Sequence, residues 1–379
     1  MKKSKVALIP CRNYDEENVY QALRQGLTLL GGLSQFVKPE EHILLKPNLL
    51  KNAPPEKAIT THPSVFGAVA RCLTEDGYND LTYGDSPGYS AQLPTAAEMS
   101  GLTAYAEKYS IKLGDFTGVT PTDFPDGNAA KKFMFAHEVT KADAIIGICK
   151  MKTHALENIT GAVKNQYGCV YGSYKTAGHA KYPNSRLFAD MMVDIDRCLP
   201  LRLYVMDGIV AMEGNGPASG TPKPMRVLLI SSDPVALDSV FAKLVYLEAR
   251  NVPTCVSGAK FGLGTMDYNE ISILTPDGEL SADAAAEKYG DPHFDVKRSK
   301  TSFWRVRHLF PAAKRYHDRP VVDADKCIAC GICQNACPAD GKAVHSGDGK
   351  KAEYDYKKCI RCYCCQEMCP AGAITRESK

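Results

Sequence analysis

One spacing of cysteines occurs twice near the C-terminal end of this 379-residue chain, and it constrains the fold more than any other feature. Of the fifteen cysteines, nine lie between residues 327 and 369, and eight of these form two runs with identical offsets. The first run comprises Cys327, Cys330, Cys333 and Cys337, and the second comprises Cys359, Cys362, Cys365 and Cys369. Because soft thiolates bind zinc and iron–sulfur clusters, whereas disulfides are rare in the cytosol, the two runs predict metal centres.

The offsets favour iron–sulfur clusters over zinc. A Cys-x2-Cys-x2-Cys loop supplies three thiolates from one short turn, and in bacterial ferredoxins the fourth cysteine of each run ligates the other cluster. We therefore predict one 4Fe-4S cluster on Cys327, Cys330, Cys333 and Cys369, and a second on Cys359, Cys362, Cys365 and Cys337. A zinc ribbon would explain paired Cys-x2-Cys knuckles, but not the third and fourth cysteines at repeated offsets. Cys364 is left over and is expected to be a packed thiol.

The segment before these runs is strongly basic. Residues 297–319 contain eight lysines and arginines against one acidic residue, Asp318, and the interleaved apolar residues predict a short amphipathic helix ending near Pro311. Such segments can bind nucleic acid or a membrane surface. The favoured interpretation is a tether that lies on an acidic domain or receives an acidic electron partner, since nothing else resembles a nucleic-acid module. We divide the chain into a first domain (1–296), a basic linker (297–320) and a ferredoxin-type domain (321–379).

Neither a membrane span nor an export signal is expected. The longest apolar stretches, such as Ala144–Cys149, are far shorter than the ~18 residues that cross a bilayer. The apolar stretch Val6–Pro10 is too short for a secretory signal. With 44% hydrophobic and 23% charged residues the composition is that of an ordinary globular protein, and we predict a cytoplasmic location.

The first domain alternates strand and helix patterns. Strand-length apolar runs lie at Val6–Cys11, Ile43–Lys46, Asp80–Tyr83, Ala144–Cys149, Leu201–Met206, Arg226–Ile230 and Ile271–Leu274. Helical patterns lie at Asn18–Leu30, Ser64–Glu75, Thr95–Tyr109, Leu156–Gln166, Ser185–Arg197 and Val235–Arg250. This alternation predicts an α/β fold with a mainly parallel sheet flanked by helices, joined to a small α+β ferredoxin-like domain.

Polar side chains follow several of these strands, and the carboxyl ends of parallel strands meet in one crevice. Lysines there favour an anionic ligand such as a carboxylate or phosphate, and histidines are candidate proton carriers or metal ligands. The predicted substrate-binding residues are Lys46, Asn48, His62, Asp85, Ser86, Lys150, Asn165, Asp207, Glu213 and Asn215. The predicted catalytic residues are Lys152, His154 and Lys164. The alternative for each is a structural role, because a single histidine is often only hydrogen-bonded and a Lys-x-Lys pair is often only solvated.

Two local patterns refine this prediction. The helix expected from Leu156 to Gln166 would turn Lys164 and Asn165 back toward His154. The loop 214–220 is rich in glycine but has the wrong spacing for a dinucleotide-binding motif, and is interpreted as a rigid edge or lid of the cleft. The chain has no Gly-x4-Gly-Lys-Ser/Thr loop, which disfavours nucleotide hydrolysis, and no Gly-x-Ser-x-Gly elbow.

Beyond the ferredoxin-like cysteine runs, seven short motifs are similar, in order, to a domain-of-unknown-function family of iron–sulfur centre proteins, often fused to a C-terminal ferredoxin. They are Lys46–Asn48, Thr61–Pro63, Gly84–Gly88, Lys150–His154, Thr160–Asn165, Asp207–Pro217 and Ser232–Asp238. The resemblance covers nearly the whole chain. It implies an α/β domain with two clusters in an anaerobic or facultative microbe, but no reaction. The α/β domain also resembles, in architecture only, the nickel-dependent lactate racemases, which use lysine and histidine in an interdomain cleft.

Three functions remain open. The leading one is a ferredoxin-coupled oxidoreductase that passes low-potential electrons through two clusters to an anionic substrate, or to a further cofactor, in the α/β cleft. It requires a redox partner protein such as a ferredoxin, a flavoprotein or another oxidoreductase. The second is a non-catalytic electron carrier or adaptor whose α/β domain docks a partner. The third is metal-centred, non-redox chemistry with His62, His154 and nearby carboxylates as ligands.

Overall fold

The structure of the chain is a computed structural model that describes residues 3–88, 92–298 and 318–377. The α/β domain lies before residue 298, and the cluster domain, by which we mean the described residues 318–377, follows. Most of the basic linker, including the amphipathic helix predicted to end near Pro311, falls outside the described residues.

The α/β domain contains twelve of the described strands and eleven of the described helices. The strands are β1 (Ser4–Pro10), β2 (Ile43–Pro47), β3 (Leu81–Tyr83), β4 (Lys112–Leu113), β5 (Val119–Asp123), β6 (Lys132–Ala136), β7 (Ala144–His154), β8 (Asn158–Thr160), β9 (Leu201–Glu213), β10 (Thr221–Ser231), β11 (Ile271–Thr275) and β12 (Gly278–Leu280). The helices are α1 (Glu16–Leu30), α2 (Pro63–Glu75), α3 (Leu93–Met99), α4 (Leu102–Lys108), α5 (His137–Lys141), α6 (Ala162–Asn165), α7 (Gly172–Lys181), α8 (Ser185–Cys198), α9 (Pro234–Leu244), α10 (Pro253–Lys260) and α11 (Ala282–Tyr289).

Ten of these strands form one mixed sheet in the order β12-β11-β1-β10-β9-β7-β2-β3-β4, with β8 paired to β7. The pairs β9-β7, β7-β2, β2-β3, β3-β4 and β1-β11 are parallel, whereas β10 is antiparallel to both of its neighbours. The predicted fold class, a mainly parallel sheet flanked by helices, is confirmed. Both faces of the sheet are covered, because Val6 to Ile9 of β1 are each at most 1% exposed, as expected for strands that lie between helical layers.

Helix starts follow local chemistry. Asp15 and Asp233 each accept hydrogen bonds from backbone N–H groups in the first turns of α1 and α9. Asp233 precedes Pro234, and proline is favoured at the first helical position because its missing N–H would be unpaired there in any case. His62 caps α2 in the same way, since its ring Nδ1 accepts from the backbone N–H of Ser64 at 3.2 Å.

The helix predicted from Leu156 to Gln166 is wrong. The chain instead reverses after His154 and forms β8, in which Asn158 pairs with His154 in antiparallel register. Asn158 adopts a left-handed φ of 64°, a conformation that asparagine tolerates better than most residues. Helix α6 then occupies only Ala162–Asn165 and continues as a 3-10 turn over Gln166–Cys169. Tertiary pairing with β7 therefore overrides the helical pattern.

Other predicted element boundaries differ less from the observed ones. The helix predicted over Thr95–Tyr109 is two helices, α3 and α4, separated at Gly101, whose φ is 77°. Strands β7 and β9 run well beyond their apolar predictions, so Lys150 to His154, and also Asp207, lie within strands rather than after them.

The cluster domain is small and internally repeated. Its elements are β13 (Arg319–Val322), α12 (Ile332–Ala336), β14 (Val344–Gly347), β15 (Lys350–Tyr354), α13 (Cys364–Met368) and β16 (Ile374–Glu377). Strands β13 and β16 pair antiparallel, as do β14 and β15. Its core consists largely of cysteines and alanines, including Cys333, Cys337, Cys365 and Cys369.

Candidate functional site

A cavity of about 100 Å³ lies between the carboxyl end of the parallel strands and the cluster domain. Strand β7 pairs with β2 only as far as Pro47 and Ile148, so the segment from Lys150 to His154 projects past the end of β2. The α/β side of the cavity includes Asn48, Asp85, Ser86, Lys152, Thr160, Lys164, Asn165, Tyr167, Lys175, Thr176 and His179. The cluster-domain side includes Ala336, Cys364, Glu367 and Met368. The cavity thus belongs to both domains, and helix α13 closes it.

Lys46 and Asp85 form a buried ion pair at the base of the cavity, with Nζ and Oδ1 2.9 Å apart. Lys46 also donates to the carbonyl of Pro47 and to Oδ1 of Asn165, and Asp85 accepts from the backbone N–H of Leu49 at 2.7 Å. A Cβ on Gly168 would lie 1.8 Å from the Asp85 carboxylate, so only glycine fits this close approach. The charges of Lys46 and Asp85 neutralise each other, and their hydrogen bonds hold both side chains in place at the wall of the cavity.

The other three lysines of the cavity have no carboxylate within ion-pair distance among the described residues. Lys152 is 2% exposed and donates to Oδ1 of Asn48 at 2.7 Å and to the carbonyl of Ile59 at 2.8 Å. Burial, followed by the charge of Lys164, lowers the pKa of Lys152 to about 7. Lys175 donates to the carbonyls of Ser86 and Pro87, and burial lowers its pKa to about 8.

Lys164 is the least constrained of the three. It lines the cavity and makes no hydrogen bond or ion pair within the part of the chain that the structure describes. Its charge nevertheless acts on Lys152, His154, Glu157 and Glu367. A lysine of this kind is available to bind an anion.

His154 has one nitrogen committed and one available. Its Nδ1 accepts from the backbone N–H groups of Leu156 and Glu157, both at 3.1 Å. In the neutral ring the proton must then reside on Nε2, which is buried without a hydrogen bond and lies 3.9 Å from the Glu367 carboxylate of the cluster domain. Burial and then Lys164 lower the pKa of His154 to about 4, so the ring is neutral near pH 7.

Further buried polar atoms near the cavity have no hydrogen-bond partner among the described residues. They are Nδ1 of His179, both carboxylate oxygens of Glu157 and Oε1 of Gln366. Burial raises the pKa of Glu157 well above its ordinary value, whereas the charge of Lys164 opposes this shift. Buried polar groups are normally paired, and several unpaired atoms around one cavity are a sign that a ligand or ordered water pairs with them.

Four predicted residues lie away from the cavity in two other places. Lys150, Asp207 and His62 belong to a separate buried network, in which Lys150 Nζ lies 2.7 Å from Asp207 and 2.9 Å from the Tyr14 hydroxyl. The backbone N–H of His62 donates to Asp207, and its ring stacks on Tyr14 at 3.5 Å. Glu213 accepts from the backbone N–H of Asp295 at 2.9 Å. These residues are internally paired, and none of them lines the cavity.

The fifth, Asn215, lies in the loop 214–220 that docks the cluster domain. Its side chain donates to the carbonyl of Ile374 at 3.0 Å, and Gln366 Nε2 donates to Oδ1 of Asn215 and to the carbonyl of Gly216. Arg376 of β16 also donates to the carbonyl of Ala155, next to His154. The loop predicted as a cleft edge therefore holds the cluster domain against the α/β domain, at a contact that we call the domain seam. Within this loop only Pro217 lines the cavity.

Sequence reasoning missed four cavity residues: Tyr167, Lys175, His179 and Glu367. Lys175 and His179 are four residues apart on α7 and therefore share a helix face, which is the one signal that pointed to them. Glu367 stands between two cysteines of a predicted run, where a charged residue resembles a solvated one. Nothing local indicated its position.

The cluster domain has the features that iron–sulfur ligation requires. Ala329 and Arg361, at the same place in each Cys-x2-Cys turn, have left-handed φ values of 56° and 60°, and Gly331 and Tyr363 repeat the match at 74° and 63°. Backbone N–H groups of Ala343 and Ala373 each donate to a fourth-cysteine sulfur, on Cys337 and Cys369, at 3.3 Å. Repeated backbone strain and N–H donors aimed at sulfur are what two thiolate-bound clusters need.

The thiols also lie near each other across the two runs. Besides burial, charges on Cys330 and Cys369 raise the pKa of Cys333. Besides burial, charges on Cys362 and Cys337 raise the pKa of Cys359. Each group of neighbours therefore combines two of the first three cysteines of one run with the fourth of the other. Among the described residues no group of three or more His, Cys, Asp or Glu is arranged for a single metal ion.

Comparison with known proteins identifies the family. The model of the domain of unknown function DUF362 matches residues 43–243, which is more than half of the chain. The chain belongs to the DUF362 family. A 4Fe-4S dicluster domain model matches residues 319–370 of this DUF362 protein, as the fusion inferred from the sequence predicted.

Other similarities are more distant. The DUF362 protein is 33% identical over 259 residues to a thylakoid-associated protein of Synechocystis sp., covering 68% of this chain and 79% of that one. The lactate racemase apoprotein of Thermoanaerobacterium thermosaccharolyticum aligns with a TM-score of 0.39 at 11% identity over 60% of this chain. A Thermotoga maritima protein aligns with a TM-score of 0.33 at 12% identity over 55% of it. The chain spans about half of each of these two structures, 54% and 53%, and neither says anything about its reaction. Within the described residues, no helix is long and apolar enough to cross a membrane.

Proposed function

We propose that this protein is a cytoplasmic oxidoreductase of anaerobic metabolism in which electrons pass through the cluster domain to a small anionic substrate in the cavity between the domains. The observation that carries the proposal is helix α13. It contains Cys365, a predicted cluster ligand, and it presents Cys364, Glu367 and Met368 to a cavity that also contains Lys152, Lys164 and Lys175. An electron source and an anion site therefore share one wall.

The cysteines are assigned as follows in this proposal. Cys327, Cys330, Cys333 and Cys369 hold the first 4Fe-4S cluster, and Cys359, Cys362, Cys365 and Cys337 hold the second. The bound clusters supply single electrons at low potential. The crossed proximity of the thiols, their N–H donors and the matched dicluster model support this assignment.

Residues of the α/β domain bind the substrate and supply protons. Lys164 and Lys175 bind its anionic group, and Lys152, held in place by Asn48, lies beside them. The Nε2–H of neutral His154 donates a hydrogen bond to a substrate atom that gains electron density, and Lys152, whose pKa burial lowers to about 7, supplies the proton. His154 lies behind the cavity lining, next to Glu367, whereas His179 lines the cavity itself and contributes a second neutral imidazole. Lys46, Asp85 and Asn165 order the base of the cavity rather than touch the reacting atoms.

The first cysteine loop is the proposed point of electron input. Ile328 is 64% exposed, and Cys330 is also exposed. In the second loop Cys362 to Cys365 are buried, and Cys364 lines the cavity shared with the α/β domain. A redox partner protein that delivers single electrons would therefore reach the first cluster, and the second cluster lies on the cavity side.

The test is anion-dependent reoxidation of the full-length protein. The protein is reconstituted and reduced anaerobically, then mixed with a panel of small carboxylates and organic phosphates while visible absorbance and paramagnetic spectra are followed. We expect one class of anion to speed reoxidation. Lys164→Gln should lower the second-order rate constant with that anion about ten- to a hundredfold, since a charged hydrogen bond contributes roughly 1.5–3 kcal/mol.

Lys141→Gln is the matched control, because Lys141 is an exposed helical lysine outside the cavity. Its rate constant should equal that of the wild type. Reoxidation at one rate whatever the anion, or equal rates for the two lysine variants, would contradict the proposal and favour a non-catalytic electron carrier.

A further inference from the structure

A second cavity, larger than the first, lies on the other side of the segment that contains β8. Its volume is about 460 Å³, within the range of about 300–1,000 Å³ typical of small-molecule sites. Asn158 lines this second cavity, whereas Thr160, two residues later, lines the first cavity, between the α/β domain and the cluster domain. The first cavity is called the redox cavity below. The two cavities are therefore separate spaces divided by one short strand.

Cationic side chains from five parts of the chain meet at this second cavity. They are Arg186 of α8, Arg250 of a 3-10 turn at Ala249–Asn251, Lys260 at the end of α10, Lys297 at the start of the linker and Arg376 of β16. Asp318 pairs with Lys297 and Arg376 and neutralises part of this charge. Asp318 does not pair with Arg186, Arg250 or Lys260, so their positive charge is in excess at this cavity.

Their pairing within the described residues is slight. Arg186 makes no hydrogen bond or ion pair there, and Lys260 only approaches the ring of its neighbour Phe261. Arg250 reaches Glu248 at 3.7 Å, in a pair whose side chains are 68% and 59% exposed. Exposed pairs of this kind contribute little. A ligand with two or more negative charges would be attracted to this surface.

Helix α8 adds to the attraction. It is fourteen residues long, and its first two residues, Ser185 and Arg186, line the cavity. The N-terminal end of a helix carries partial positive charge and free backbone N–H groups, which favour phosphate.

The opposite wall has a different chemistry. Asp190 is 7% exposed, and its Oδ1 accepts from the Ser257 hydroxyl at 2.5 Å, while its Oδ2 has no hydrogen-bond partner among the described residues. A carboxylate repels an anion but accepts from a hydroxyl or an amine. Leu156, Pro253 and Val256 supply apolar surface nearby.

We propose that this second cavity binds a nucleoside diphosphate, with the phosphates on Arg186, Arg250 and Lys260 and a sugar hydroxyl on Asp190. The site needs no hydrolysis and is independent of the substrate in the redox cavity. Because Arg376 of the cluster domain reaches both this cavity and the carbonyl of Ala155, a bound nucleotide also contacts the seam that closes the redox cavity.

The experiment is isothermal titration calorimetry of the full-length reconstituted protein with ADP, pyrophosphate and adenosine as separate probes. We expect ADP to bind more tightly than either fragment. Arg186→Gln and Lys260→Gln should each raise the dissociation constant for ADP about tenfold, as the loss of one charged hydrogen bond predicts. Asp190→Asn should weaken ADP and leave pyrophosphate unchanged, a difference that a merely structural role would not produce.

Controls locate the site. Lys141→Gln should leave ADP binding unchanged, and so should Lys164→Gln, which alters only the redox cavity. The proposal is overturned if ADP does not bind at millimolar concentration, if pyrophosphate binds as tightly as ADP, or if Lys164→Gln rather than Arg186→Gln removes binding. These results are independent of whether anions reoxidise the clusters, so failure here and failure of the proposed function are distinguishable.

Discussion

The two cysteine loops of the cluster domain have the same backbone and opposite surroundings. In the first loop Ile328 and Cys330 are exposed, and Gly331 and Ile332 precede the third cysteine. In the second, Tyr363 and Cys364 occupy those two positions and are buried. Both loops share the same left-handed turns. The ligation geometry is therefore local and repeated, while the side chains between the ligands decide what each loop faces.

The residues after the third cysteine sharpen this contrast. Gln334 accepts from the backbone N–H of Ser346 within its own domain, whereas the equivalent Gln366 donates across the seam to Asn215 and Gly216. The next positions are Asn335 in the first half and Glu367 in the second, and Glu367 lines the cavity beside His154. One half has become an exposed face, and the other a wall of the candidate active site.

The largest expected effect comes from removing one ligand from each half. Cys365→Ser should abolish anion-dependent reoxidation, because the second cluster is the one proposed to lie against the cavity. Cys330→Ser should leave reoxidation of chemically reduced protein largely intact and should slow reduction by a carrier protein. Iron analysis and paramagnetic spectra would identify the remaining cluster in each variant. If Cys330→Ser abolished anion-dependent reoxidation and Cys365→Ser left it intact, the two halves would not have the roles described.

The next prediction is a pH dependence of anion binding by the lysines of the cavity. The ordinary pKa of lysine is 10.5, and burial lowers that of Lys152 to about 7 and that of Lys175 to about 8. Lys175 is a proposed anion ligand and binds only when protonated, and the charge of neighbouring Lys152 adds to the attraction, so binding should be strong below pH 7 and should weaken as pH rises through 8. We expect KM for the anion to rise about tenfold per pH unit above 8, because protonated lysine falls tenfold per unit above its pKa. Steady-state kinetics at fixed ionic strength measures this; a flat KM would contradict the assigned roles.

Ile328→Ala tests the exposed half with a smaller effect. An apolar contact at the centre of an interface commonly contributes about 1 kcal/mol, so reduction by a small iron–sulfur carrier protein should slow roughly fivefold. Stopped-flow absorbance measures the rate. Leu113→Ala is the control, since Leu113 is 40% exposed on the distant edge strand β4. Equal rates for both variants would show that partners do not dock at this loop.

The smallest expected effect on electron transfer comes from the paired glutamines, whose substitution changes local stability instead. Gln366→Ala removes donors to three acceptors in the loop 214–220 and should weaken the domain seam by about 1–3 kcal/mol. Amide hydrogen exchange should then rise in that loop and around His154. Gln334→Ala should raise exchange only near Ser346, within the cluster domain. If both variants altered the same peptides, the two halves would not differ in the way described.

Much of the α/β fold followed from local patterns. Runs such as Ile43–Lys46 were predicted close to where they lie, because strand burial depends on a few neighbouring residues. The candidate site was predicted only partly. Lys152, Lys164 and Asn48 do line one cavity, but Lys150 and Asp207 form a pair elsewhere, since a lysine and a carboxylate distant in sequence cannot be matched from local patterns.

The sequence by itself determined the cysteine pattern, the strand and helix alternation and the presence of lysines near strand ends, because each is encoded within a few residues. The tertiary structure decided which of two equal cysteine loops faces solvent and which closes the cavity. It also decided that Lys175, His179 and Glu367 join the site and that β8 replaces a helix. The position of the cluster domain depends on contacts between segments more than a hundred residues apart, such as Asn215 with Gln366, and only the packed chain brings such segments together.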